Sequence, residues 1–427
     1  MHYLYSALLT LAAILGSPYW IYKAVKERKY LKNIRQRLGL VLPEERQFAK
    51  PLWIHAVSVG EVLAAKPLFA ALRASRPDMS IVVSTVTLTG QALARKELAQ
   101  AEEIFFFPFD WDFCVRRFLD RLHPCAIVLM ETELWPNFLR LCSESEIPVF
   151  LANGRISDHS IKRYRRIKTL TGFMLEKLKV LGVQTPKDKR RFIELGAKES
   201  QIRITGNLKF DFAAPNIARA SELLGSIRAC FGLDTGNQAI VIGSSMRGEE
   251  ALFLDVFRRV RESAPEARLI LAPRHPERFE ETADLIAKTG MPFHRRSELG
   301  SFNDAAGTEI LLLDTIGELR AVYSLAAVAV IGGSFLSYGG HNLLEPAALG
   351  KAIVFGPEMS NFKEMAALFL REQAARQCAL EDLPAALCEL LKNPRARNML
   401  GQRAASTFRQ NQGATEATVA FLLPHIQ

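Results

Sequence analysis

Several charged residues in this chain stand where an apolar run gives way to a polar turn, positions from which side chains do acid–base and anion chemistry. Glu61 closes "VSVGE" (57–61), Glu131 and Glu133 lie in "ETELWPN" (131–137), Lys209 in "GNLKFD" (206–211) and Arg274 in "APRHPERF" (272–279). A glutamate just inside a helix either serves as a general base or simply complements the helix dipole, and the residues alone leave both open for Glu61. The stretch "GGSFLSYGGHNLLEPAALGKAIVFGP" (332–357) holds six glycines directly after the apolar run Ala326 to Ile331. Strand, glycines and helix start form the layout of an anion site, because backbone N–H groups approach a ligand with no Cβ in the way. Asn342 is placed to cap a helix starting near Leu343, and Glu345 falls in its first turn, where it serves either the dipole or a ribose hydroxyl. Neither G-x-G-x-x-G nor the P-loop pattern is present. Asp110 and Asp112 in "FDWDF" superficially resemble a metal-binding Asp-x-Asp, but no second carboxylate or histidine set accompanies them, and we assign no metal there.

The elements that must position these groups alternate in type along the chain. "PLWIHAVSV", "MSIVVSTVT", "EIFFFPF", "CAIVLMETE", "PVFLANGRI", "KVLGVQT" and "RITGNLKFD" read as strands, separated by helix-length segments. A second series begins at "QAIVIGSS" and continues through "ARLILAPR", "EILLLDT", "AVAVIGGSF" and "KAIVFGP". Nearly all-apolar strands separated by helices predict parallel sheets covered on both faces. The fold class is therefore α/β, with two doubly wound Rossmann-like domains facing a cleft and an N-terminal membrane-anchor helix. The expected boundaries are 1–25 for the anchor, 26–212 for an N-terminal domain and 213–427 for a C-terminal domain, with the linker near 212–218. Every polar cluster named above falls at the C-terminal end of a strand, where open α/β sheets bind ligands.

Composition narrows the setting. The 427 residues exceed one ordinary core, and 49% hydrophobic content argues against disorder. Six cysteines without a C-x-x-C pair indicate reduced thiols rather than a disulfide framework or zinc site. The net charge of +10 is concentrated in Lys23–Arg37 and in Lys162–Arg191. No zinc-finger or aromatic-basic module points to nucleic acid, so anionic lipid is the favoured partner. Tyr3 to Tyr22 carries no formal charge and has Tyr and Trp near its ends, just long enough to span a bilayer. Positive charge follows this run, which puts the body of the protein in the cytoplasm; Gly16 and Pro18 leave open a helix lying in the interface.

Taken together, "VSVGE", "ETELWPN", "GNLKFD", "APRHPERF", "TIGEL" (315–319) and "GGHNLLEPAALGKAIVFGP" (339–357) resemble the 3-deoxy-D-manno-octulosonic acid (Kdo) transferases, in order and over essentially the whole chain. That family consists of membrane-associated GT-B glycosyltransferases that move Kdo from CMP-Kdo to the lipid A precursor during lipopolysaccharide core assembly. The resemblance implies an inverting transfer from CMP-β-Kdo to lipid IVA, with Glu61 as general base and Glu131 and Lys209 stabilising the transition state. It implies a CMP site built from Pro273, Arg274, Ile316, Gly317, Glu318, Asn342, Leu343, Leu344 and Glu345. It implies no cofactor and no metal. The acceptor is then a phosphorylated, acylated glucosamine disaccharide, and the expected location is the cytoplasmic face of the inner membrane. In one place the chain departs from the family: "GSSMRGEE" (243–250) has Met246 and Arg247 where a histidine is usual, which bears on donor affinity. A nucleotide-sugar epimerase on the same frame and a catalytically inactive nucleotide-sugar binder are the alternatives; retention of Glu61, Glu131 and Lys209 argues against the second.

Overall fold

The computed structural model describes residues 5–16, 29–43, 50–212, 220–233, 238–298 and 307–426. Two compact units emerge, one comprising residues 1–213 with 411–427 and the other residues 214–410.

The first unit is built on seven parallel strands: β1 (Leu52–His55), β2 (Ile81–Thr85), β3 (Glu103–Phe106), β4 (Ala126–Met130), β5 (Val149–Gly154), β6 (Leu178–Val183) and β7 (Ile202–Ile204). Their order is β3-β2-β1-β4-β5-β6-β7, and every pairing is parallel. The all-apolar runs are explained by burial on both faces: β4, "AIVLM", is buried at every position. On one face Trp53 is packed among Phe105, Phe107, Phe118 and Phe138, the last edge-on at 5.3 Å between centroids. Its indole N–H donates to Ser84 Oγ at 2.7 Å, so this buried polar atom has a partner. On the other face the helix Val59–Ser75 covers the sheet and is itself packed by the helix Ala414–Leu422. Strand order reverses between β1 and β4, which makes the C-terminal ends of these two strands the expected ligand position.

The second unit repeats the plan with β8 (Gln238–Ser245), β9 (Ala267–Pro273), β10 (Phe293–Arg295), β11 (Ile310–Leu312), β12 (Ala326–Ile331), β13 (Ala352–Phe355) and β14 (Arg376–Gln377), in the order β10-β11-β9-β8-β12-β13-β14. Its switch point lies between β8 and β12. There Gly332 N–H donates to Gly243 O at 2.8 Å, and a Cβ on Gly332 would stand 2.4 Å from Ser244 O, so no other residue fits.

Some elements differ from the sequence reading. The last strand of the first domain divides into β7 and a 3₁₀ turn, Leu208–Phe210, because Asn207 caps the turn through Lys209 N–H. The helix after the glycine loop is a single turn, Leu344–Ala348, ended by Gly350 at φ +65°. The tail 411–427 groups with the first unit, not with the C-terminal domain to which the sequence reading joined it. The linker 212–218 lies almost wholly outside the described residues.

Residues 5–16 are helical. Ser6 Oγ accepts from Asn137 Nδ2 at 2.9 Å and Thr10 Oγ1 from Trp111 Nε1 at 3.1 Å, while Leu8, Leu11, Ile14 and Leu15 are exposed. No described helix is long and apolar enough to cross a membrane, and residues 1–4 and 17–25 of the expected anchor are not among those described. Of the second basic block, Arg165 pairs with Glu194, Lys187 and Arg191 with Asp158, and Lys189 with Glu199, so part of its charge is neutralised locally. Asp110 is occupied as a helix cap, accepting the N–H groups of Asn137 at 3.0 Å and Phe138 at 2.7 Å.

Candidate active site

In the first unit, Glu61 is the third residue of the helix that follows β1. Its carboxylate turns back on the helix entrance, accepting Val57 N–H at 2.9 Å and the Ser58 hydroxyl at 3.0 Å. That much is a capping arrangement. Capping alone would hold a carboxyl low, yet Glu61 is only 7% exposed and its pKa is raised to about 7. Burial is the largest cause; the Val57 N–H and Ser58 oppose it, and the charges of Glu131 and Glu133 add to it. Three carboxylates at the ends of β1 and β4 are therefore electrostatic neighbours.

Glu131 is not part of the strand, as "CAIVLMETE" suggested. β4 ends at Met130, and Glu131 takes φ +56°, a strained conformation for this residue. Its N–H donates to Ala152 O at 2.8 Å. The turn directs its carboxylate to two cations: Lys209 Nζ at 2.9 Å on Oε1 and Arg155 Nε at 3.3 Å on Oε2. Lys209 is placed by Asn153, whose Oδ1 accepts Leu208 N–H at 3.0 Å, and by Asn207. Asn153 is fully buried at φ +59° and begins the same turn that delivers Arg155. Glu61, Glu131, Glu133 and Lys209 are thus brought together. Arg155 was missed by the sequence reading; the signal was its place directly after the Asn-Gly that closes an apolar strand. Burial raises the pKa of Glu133, with the Glu131 charge contributing.

In the second unit the glycine loop is held from below. Glu249, fully buried, accepts N–H groups from Gly333 at 2.6 Å, Met246 at 2.9 Å and Phe335 at 3.1 Å. One side chain thereby ties the turn after β8 to the turn after β12. Its neighbour Glu250 pairs with buried Arg278 at 3.1 Å, so the second arginine of "APRHPER" is structural. Arg274, directly after Pro273 at the end of β9, is exposed and is anchored by its backbone N–H on Ser245 O at 2.9 Å. Asn342 Oδ1 accepts Leu344 N–H at 3.0 Å, the cap expected from sequence, and Leu343 and Leu344 are buried beneath it. Burial raises the Glu345 pKa, with Arg320 and then Arg274 drawing it back down. Arg274, Glu345 and the missed Arg320 therefore form one electrostatic group. His341 is lowered to about 4 by burial first and then by Arg274 and His275, and its Nε2 is buried without a hydrogen-bond partner.

Gly317 sits at φ +94° beside the 70% exposed Ile316 in the turn after β11. Glu318 is held by Arg296 at 3.0 Å and by the Thr315 hydroxyl, so its carboxylate is already engaged within the unit. Met246 lies close to Gly333, so the departure from the usual histidine stands at the glycine loop itself. No group of three or more metal-ligating side chains is found among the described residues.

The profile of the 3-deoxy-D-manno-octulosonic-acid transferase (kdotransferase) family matches residues 32–212, the stretch that carries Glu61, Glu131 and Lys209. A 3-deoxy-D-manno-octulosonic acid transferase of Haemophilus influenzae is 32% identical over 409 residues, covering 95% of this chain and 94% of its own. The chain belongs to the Kdo transferase family. A Bordetella pertussis Kdo transferase is 34% identical, covering 87% of this chain and 86% of its own. Solved structures agree on the fold: a glycosyltransferase from Rickettsia africae superposes with a TM-score of 0.57 at 11% identity, over 88% of this chain and 98% of that one. A UDP-GlcNAc 2-epimerase from Neisseria meningitidis gives 0.56 at 12%, over 88% and 100%. Fold likeness is thus shared by transferases and epimerases, and the Kdo transferase sequence relatives decide between them. This Kdo transferase is accordingly a glycosyltransferase with two Rossmann-like units of the GT-B kind.

Proposed function

We propose that this enzyme transfers Kdo from CMP-β-Kdo to lipid IVA with inversion, in a single displacement with Glu61 as general base. The acceptor oxygen attacks the anomeric carbon as the bond from that carbon to the CMP phosphate breaks; the electron pair leaves with CMP, and the acceptor proton passes to Glu61. The observation that carries this reading is the Glu61 carboxyl, held near pH 7 in a buried turn beside Glu131 with its two cations. A base works best when its pKa lies near the working pH. The Glu131 carboxylate favours positive charge developing at the anomeric centre, and Lys209 offers a cation to the sugar's own carboxylate. In the second unit Arg274 and the glycine-loop N–H groups suit the departing phosphate, Glu345 the ribose, and the Ile316–Glu318 backbone the base edge. Since the helix at Leu344–Ala348 is one turn long, the donor phosphate depends on Arg274 and loop N–H groups more than on a helix dipole.

We further propose that the protein works at the cytoplasmic face of the inner membrane, with the exposed leucines of helix 5–16 and the exposed cations of the basic block toward lipid and its phosphates. The test is transfer with purified protein, CMP-Kdo and lipid IVA. Glu61→Ala is expected to abolish transfer while CMP still binds; full activity in that variant would remove Glu61 as base, and turnover of UDP-GlcNAc without transfer would favour the epimerase reading.

A further inference from the structure

Lys209 rides on the three-residue turn Leu208–Phe210, which is too short to fix a side chain by itself. From one side the turn is held by Asn153, whose Oδ1 accepts Leu208 N–H. From the other it is held by residues 202 to 204 positions further along, where the chain re-enters the first unit. Asp211 closes the turn through its N–H on Leu208 O at 3.1 Å, and its carboxylate accepts Gly413 N–H at 2.8 Å on Oδ1 and Thr415 N–H on Oδ2. Gln412 Nε2 donates to Phe210 O at 3.4 Å. Gly413 presents its N–H at φ +98°, a conformation that favours glycine. Ala414 fits against Gly206, where a Cβ would stand 3.4 Å from its methyl carbon. Leu208 is fully buried in an apolar layer that also contains Val62, Ala65 and Leu68 of the helix carrying Glu61 and Ala414, Val419 and Leu422 of the tail helix.

A carboxylate that accepts backbone N–H groups at a helix start is also an ordinary cap, and a cap supplies stability alone. Asp211 differs in its place, two residues from the ammonium that reaches Glu131 Oε1 at 2.9 Å. Transfer depends on such groups standing where charge develops, and a displacement of about 1 Å far from the reacting atoms can cost about a hundredfold in rate. We propose that Asp211 is a positioning residue for the transfer reaction: by tying the Lys209 turn to residues 413–415, it sets where the Lys209 ammonium stands against Glu131. The inference rests on the reading of Lys209 as a group that stabilises the transition state. Asp211 acts through Lys209 and touches neither donor nor acceptor, so the return of the chain into the first unit is part of what makes the Glu131–Lys209 pair.

The experiment is a double-mutant cycle on the full chain, with steady-state transfer from CMP-Kdo to lipid IVA measured for wild type, Asp211→Ala, Lys209→Met and the double variant. Lys209→Met is expected to lower kcat about a hundredfold or more. Asp211→Ala should lower kcat about tenfold, with the donor KM within about twofold and CMP binding unchanged. In the Lys209→Met background, Asp211→Ala should cost less than about twofold more, since the group it positions is already gone. Asp211→Asn keeps an oxygen acceptor and should recover part of the loss. Gly413→Ala strains the partner side of the same contact and should repeat the pattern, so the two milder variants carry the cycle if Asp211→Ala does not fold. A folded Asp211→Ala protein with wild-type kcat, or an equal loss with and without Lys209, would overturn the proposal and leave Asp211 a cap. Full activity in Lys209→Met alone would instead remove the reading of Lys209, and this inference with it.

Discussion

Replacing Glu131 by glutamine should move the acid limb of the transfer reaction toward lower pH. The Glu61 carboxyl stands at about 7 against an ordinary 4.5, a displacement of about 2.5 units, equivalent to about 3 kcal/mol in favour of its neutral form. The sign matters for both rate and stability. A carboxyl raised by folding becomes a base only above its folded pKa, so kcat/KM should climb tenfold per unit below about pH 7 and level off above it. The same shift stabilises the fold below the unfolded value, and that contribution is lost as pH rises through about 7. Burial leads the shift, with Glu131 a lesser cause, so Glu131→Gln should lower the limb by roughly half a unit rather than erase the displacement. The cations released by the substitution, Lys209 and Arg155, act in the same direction. At pH 6 the ionised fraction of Glu61 would then rise roughly two- to threefold, visible once each profile is scaled to its own plateau. The assay is kcat/KM against pH with one acceptor for both proteins, so that titration of the acceptor phosphates is shared and cancels. A wild-type limb at the ordinary carboxylate value, or a limb that stays in place in both Glu131→Gln and Glu133→Gln, would refute the reasoning.

Two further outcomes follow from the hydrogen bonds. Arg155→Met should lower kcat roughly tenfold to a hundredfold with little change in melting temperature, because its partner Glu131 keeps Lys209 while losing one of two orienting contacts; Arg155→Lys should recover part of the loss, and steady-state kinetics with CMP binding as control will show it. Glu249→Ala should lower stability by about 3 kcal/mol, since it leaves three N–H groups without their acceptor, and should weaken CMP binding while leaving first-unit chemistry intact; thermal melts with and without CMP separate the two effects.

How much of this was legible in sequence depended on the range of the interaction. Strands β1, β4, β8 and β12 announced themselves because doubly covered strands are apolar over most of their length, and the turns after them carried Glu61, Glu131 and the glycine loop. The Asn342 cap was equally local, spanning two residues. What failed was whatever depended on a φ angle or on distant packing. Alternation put Glu131 and Glu133 in one strand, whereas the φ of +56° at Glu131 turns the chain there, and the two are neighbours for a different reason. Glu249 was passed over because nothing local shows that two of the N–H groups it accepts lie more than eighty residues ahead, at Gly333 and Phe335. Arg155 was passed over since arginines abound in that segment, and only the structure shows which of them reaches Glu131. The tail helix carries no signal of its partner, because its apolar face would suit either sheet.

That tail has a consequence for how the protein is made. Asp211 accepts the N–H groups of Gly413, at 2.8 Å, and Thr415, and Ala414, Val419, Leu422 and Ile426 complete the apolar layer that contains Phe150, Ala152 and Leu208. On the ribosome the first sheet emerges early, but the residues that seal this layer are translated only after the entire second unit. The first unit is therefore begun before the second and completed after it, waiting through nearly two hundred residues of synthesis with part of the apolar layer around the helix Val59–Ser75 uncovered.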